Sequence, residues 1–140
     1  MGLDAIVFRN ARVLAETFDV EVIDVDPDTG EAQVDGADGS HLPPDAITVL
    51  KCRLGNLSEI VYVREAVRRL LGTADSTIEK RILYSASHSG DTLGPEEFPA
   101  LKRELTILQS ADDVQLGSFV AAISKLISAA ETERNPIVFV

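Results

Sequence analysis

The stretch Ser85-Ala86-Ser87-His88-Ser89-Gly90-Asp91-Thr92 puts hydroxyls, an imidazole and a carboxylate into eight consecutive positions. Those are the types a hydrolytic site needs: a nucleophile, a base touching it, and a third group orienting the base. A small hydrolase or ligand-binding enzyme would use His88 and Asp91. Arg53 and Asn56 would line the same pocket, together with Ser87 and Ser89, if two strand ends met at one end of a sheet. Neighbours in sequence rarely converge into a triad, and the nucleophile elbow G-x-S-x-G is absent. The plainer reading is a turn. Asp91 and Thr92 cap the helix that follows, Gly90 supplies the bend, and His88 bonds to backbone.

Metal chemistry finds little support. Asp24-x-Asp26-x-Asp28 begins like a calcium loop, but Thr29 and Asp35 stand where that loop needs glycine and a bidentate glutamate. Zinc wants three or four ligands, and only Cys52, His41 and His88 are of the preferred types. Cys52 reads as a small buried residue in an apolar strand rather than a reactive thiolate. The expectation is no metal and no cofactor, since no phosphate loop or dinucleotide fingerprint occurs either.

The net charge of −10 is unevenly placed. Residues 1–50 carry eleven acids against Arg9 and Arg12, whereas residues 51–140 carry twelve acids against eleven bases. A field of that sign repels nucleic acid and anionic membrane and attracts a basic protein partner or cations. It also keeps strand edges soluble. Arg64, Arg68 and Arg69 make a local basic cluster that nearby acids can pair, with no aromatic residues interleaved for nucleic acid. No segment is apolar enough for a bilayer and no signal peptide is visible, so the cytoplasm is the expected compartment.

The elements that must position these residues follow from periodicity. Leu3–Phe8 is a short apolar run suited to a buried strand. Asn10–Thr17 fits either a helical turn or an edge strand. Val20–Val25, the turn Asp26-Pro27-Asp28-Thr29-Gly30 and Glu31–Asp35 read as a hairpin. Gly36–Asp45 is a loop and Ala46–Leu54 a strand. Leu57, Ile60, Val61, Arg64, Val67, Leu70 and Leu71 trace one face of a helix stopped by Gly72. Arg81–Ser85 reads as a strand, and Ser87–Gly94 as a loop entering a helix at Pro95, with Phe98, Leu101, Leu105 and Leu108 as its stripe. Asp112 and Asp113 open a third helix with Val114, Phe119, Ile123, Leu126, Ile127 and Ala130 inward. Asn135-Pro136 ends it before a strand at Ile137–Val140. One domain over 1–140 is expected. Its class is α+β, a mostly antiparallel sheet with about three helices on one face.

Several of these segments carry a resemblance. Met1-Gly2-Leu3-Asp4-Ala5, Arg53-Leu54-Gly55-Asn56, Leu83-Tyr84-Ser85 with His88-Ser89-Gly90-Asp91, and Asn135-Pro136-Ile137-Val138-Phe139 resemble a family of small uncharacterised bacterial proteins. The resemblance spans nearly the whole chain, with residues 10–45 as its variable part. The His-Ser-Gly-Asp loop before a Glu-rich helix start also resembles some immunity proteins of bacterial polymorphic toxin systems. The first resemblance implies a fold and no activity. The second implies a non-enzymatic, immunity-like binding module. The charge distribution would bring a basic partner to its acidic surface, and a small hydrolase or ligand-binding enzyme is the alternative reading of the residues. A homo-oligomer pairing through the C-terminal strand or an exposed edge is left open.

Overall fold

The computed structural model describes residues 2–36, 42–72 and 76–140. Its centre is a strand that is apolar at every position but two: β1, Gly2–Phe8. Both neighbours pair with it antiparallel, β4 (Thr48–Asn56) on one side and β6 (Ile137–Phe139) on the other. The two-residue β5 (Thr92–Leu93) adds antiparallel to β6, completing the order β4-β1-β6-β5. Two faces result from strand alternation. Leu3, Ala5 and Val7 join the main core, while Ile6 and Phe8 form a small cluster with Val138 on the opposite face.

Three long helices cover the inner face. They are α2 (Leu57–Leu71), α4 (Phe98–Gln109, entered through a 3₁₀ turn at Pro95–Glu97) and the 20-residue α5 (Val114–Glu133). Asn56 begins α2 with a capping box to Glu59, and Asp113 accepts from the Leu116 amide to begin α5. The buried stripes Phe98-Leu101-Leu105-Leu108 and Phe119-Ile123-Leu126-Ile127-Ala130 are those the spacing predicts. No described helix is long and apolar enough to cross a membrane.

The α+β class stands, and the helices number five among the described residues rather than three. The ambiguous N-terminal stretch is α1, Ala11–Phe18, because the Asn10 side chain accepts from the Arg12 and Val13 amides. The expected strand at Arg81–Ser85 is absent. Here α3 (Thr77–Arg81) continues into a turn, with the Ile82 and Leu83 amides both donating to Ile78 O. A short apolar run buried by a turn carries no period that separates it from a strand. Part of the loop expected over Gly36–Asp45 lies outside the described residues, as does His41.

Two phase corrections matter for the surface. The buried stripe of α2 is Ile60, Val63, Ala66 and Val67, which leaves Leu57, Val61 and Leu70 exposed. Val114, expected inward, is 86 % exposed at the first turn of α5.

A small lobe stands beside this body. α1 and the hairpin of β2 (Val22–Val25) and β3 (Ala32–Val34) enclose Leu14, Ala32 and Ala46, with Phe18, Val22 and Val34 packed around them. Ile47 packs against both this lobe and the small outer-face cluster, and the Asn10 amide and side chain donate to Glu133 Oε1 and O at 2.9 and 3.0 Å. Within the body, Asn135 Nδ2 donates to Phe8 O at 2.8 Å. Gly30, at φ 79°, lies so close to the Asn135 side chain that no Cβ fits between them.

Candidate functional site

His88 is the residue whose chemistry drew attention first, and its surroundings are now explicit. The turn after α3 brings Ile82 O to 2.9 Å from Nε2, and Asp91 Oδ2 lies 2.8 Å from Nδ1. Tyr84 donates its hydroxyl to the same Asp91 oxygen. The imidazole lies between two rings, with centroids 4.5 Å from Tyr84 and 4.8 Å from Phe139 of β6. Its side chain is 7 % exposed. Sequence reasoning missed Tyr84 and Phe139; the only signal was an aromatic residue seven positions before an aspartate, which is too loose to use.

This arrangement holds a loop shut. Both ring nitrogens are engaged within the segment, so neither is directed at a nucleophile. Ser85 Oγ donates to Ser87 O and accepts from its amide, which uses the serines for the turn itself. Ser87 and Ser89 are exposed. Gly90, at φ 87°, makes the bend, and its amide donates to Phe139 O. The backbone contact of His88 and the Gly90 turn are therefore as the plainer reading expects. The caps are not. Asp91 serves Tyr84 and His88, Thr92 belongs to β5, and the 3₁₀ turn starts at Gly94 without a side-chain cap. Hydrogen bonds to Tyr84 first, then to His88, hold the Asp91 carboxyl below its ordinary range. The same bond pushes the Tyr84 phenol up to about 12.

Arg53 and Asn56 are not drawn to His88. Phe139, on which His88 packs, is opposite Ala5 on the inner face. Arg53 is opposite Asp4 and bridges it at 3.3 Å, which places it on the outer face of the far edge strand. Asn56 is used as the cap of α2. Alternation and strand order separate what the sequence puts at two strand ends.

The other polar cluster pairs within the body. Arg64 Nε donates to Leu83 O at 2.6 Å, and Arg68 bridges Glu79 at 2.6 Å across to α3. Glu104 of α4 accepts from Ser76 Oγ and the Thr77 and Ile78 amides, so its carboxylate closes the start of α3. Burial pushes the Cys52 thiol up, which disfavours the thiolate.

Seven of the eleven acids of residues 1–50 fall within residues 19–35. Asp19, Glu21, Asp24, Asp26, Asp28, Glu31 and Asp35 all belong to the hairpin or its flanks, with no lysine or arginine among residues 19–35. Asp26 Oδ1 accepts from the Asp28 and Thr29 amides, so this carboxylate builds the turn. Among the described residues, no group of three or more His, Cys, Asp and Glu side chains could hold a metal ion. Amid these carboxylates Ile23 is 64 % exposed, next to the inward Val22 at a register shift between Val22 and Asp24. Compared with family models, curated proteins and solved structures, the chain matches none.

Proposed function

We propose that this chain is a protein-binding module whose α1–hairpin lobe receives a basic surface of a partner protein. The observation that carries the reading is Ile23, a large aliphatic side chain exposed in a strand flanked by Glu21, Asp24 and Asp26. An apolar anchor within a charged rim is the anatomy of a recognition surface. The carboxylates steer a basic partner and reject acidic ones, while desolvation of Ile23 supplies affinity. The bonds from Asn10 to Glu133 and the packing of Ile47 tie the lobe to the body, which lowers the ordering cost of binding. An immunity-type inhibitor of a basic toxin fits these features.

The test compares two variants of equal charge in affinity enrichment from cells of the source organism. One neutralises the exposed lobe residues, E21Q/D24N/D28N, and leaves the turn-building Asp26 intact. The other neutralises E65Q/E96Q/D112N, exposed acids on the helical body. Partners held by the wild type and the body variant, and lost from the lobe variant, support the reading. Equal retention by both variants, or equal loss, overturns it.

A further inference from the structure

An imidazole placed between two acceptors has its proton count set by them. Ile82 O, 2.9 Å from His88 Nε2, is a carbonyl and can only accept. Asp91 Oδ2, 2.8 Å from Nδ1, also accepts the Tyr84 hydroxyl. A carboxyl held below its ordinary range is ionised at neutral pH and has no proton to give back. A neutral ring owns one N–H, so it would meet one of these oxygens with a lone pair. Both contacts exist together only for the imidazolium.

The surroundings accommodate that charge. The π systems of Tyr84 and of Phe139 on β6, with centroids at 4.5 and 4.8 Å, attract a cation set against them. Two arginines lie nearby with their own partners. Arg81, whose field also reaches Asp91, bridges Glu97 at 3.1 Å and donates to Thr92 O at 3.0 Å. Arg64 of α2 donates to Leu83 O at 2.6 Å. Charge on the ring is therefore answered by Asp91, whose side chain is 48 % exposed.

Loss of a proton falls on that open side. Nε2–H stays on the Ile82 carbonyl, and Nδ1 gives its proton to water. Its lone pair then faces Asp91 Oδ2 at hydrogen-bond range with nothing between them, which turns the carboxylate away. Asp91 joins the loop to the sheet, because Phe139 N–H donates to Asp91 O at 2.9 Å and the Gly90 amide donates to Phe139 O at 2.8 Å. Pairing of β5 with β6 begins at the next residue, Thr92.

We propose that residues 84–91 form a proton-operated latch, closed onto β6 while His88 carries both ring protons and loosened when Nδ1 is deprotonated. Histidine changes charge between about pH 5 and 8, so the latch responds over that interval.

The test follows the full chain by NMR from about pH 5 to about pH 9. Ring nitrogen-15 shifts report the charge of His88. The Gly90 and Phe139 amides, each taken relative to its intrinsic exchange rate, report closure. Protection of both should fall roughly threefold, the size of one solvent-screened contact, in step with loss of the ring charge. Asp91→Asn should be equally protected at both ends of the range, because an amide turns its NH₂ to a neutral Nδ1 or its oxygen to a charged one. Tyr84→Phe should keep the step, since it removes a donor to Asp91 and leaves the imidazole contact in place. A ring that holds one charge state over the whole range, or protection that ignores the change of charge, would overturn the proposal. So would a step that survives in Asp91→Asn or vanishes in Tyr84→Phe.

Discussion

Replacing His88 with alanine separates a residue that holds the fold from one kept for chemistry. The ring packs between Tyr84 and Phe139, and each such contact is worth roughly 0.5–1.5 kcal/mol. Its Nε2 hydrogen bond to Ile82 O adds about 1 kcal/mol, and deleting it leaves a partly buried carbonyl unsatisfied. The Asp91 contact is open to solvent and adds little. His88→Ala should therefore cost about 3 kcal/mol, a large share of the 5–15 kcal/mol typical of a domain. At this chain length that lowers Tm by about 6–12 °C. Urea titration at neutral pH, followed by circular dichroism, reads the loss directly, and an unchanged m-value keeps the comparison two-state. A loss below about 0.5 kcal/mol would refute the reasoning. It would mean the buried ring contributes nothing to folding, and the hydrolase alternative would regain its base.

Both tyrosines donate to carboxylates, Tyr84 to Asp91 and Tyr62 to Asp113 at 2.5 Å, so phenolate absorbance should show neither ionising at its ordinary value in the folded chain. With Tyr84 raised to about 12, its stabilisation is complete below the unfolded value near 10 and is lost as pH rises through 12. Native titration of both at ~10 would contradict this. Gly30→Ala meets both a left-handed φ and the Asn135 side chain, and should cost about 1–3 kcal/mol. Amide exchange should quicken in the lobe before it does in α5. Glu104→Gln puts an amide NH₂ among donors that one carboxylate now satisfies, and should cost about 2 kcal/mol by urea titration, with Glu104→Ala no milder.

What the sequence makes legible is what periodicity and caps encode locally. Three- and four-residue spacings over Phe98, Leu101, Leu105 and Leu108 with Pro95 mark α4, Asp113 marks the start of α5, and the Asp26–Gly30 turn marks the hairpin. The helical phase of α2 is harder, because Leu57, Val61 and Leu70 offer a second apolar stripe beside Ile60, Val63, Ala66 and Val67. Residues 82–85 mislead because burial by a turn and burial by a strand both demand an apolar run. β5 is too short to have a pattern, and it pairs only because β6 reaches it over a long separation, with Phe139 N–H donating to Asp91 O and the Gly90 amide to Phe139 O. The same distance hides the candidate site. Which face of the sheet receives Arg53, and which ring receives His88, depends on the order β4-β1-β6-β5, a property of non-local pairing. Charge, by contrast, is readable early, since a run of acids without bases stays together when it folds into one hairpin.

Hydrogen exchange of the full chain, alone and with a captured basic partner, locates the docking surface without any substitution. Slowed exchange is expected across residues 20–34, centred on the amides around Ile23, with the amides of α2 and α4 unchanged. Slowing confined to the helical body, with the hairpin exchanging as fast as in the free chain, would contradict recognition by the acidic lobe.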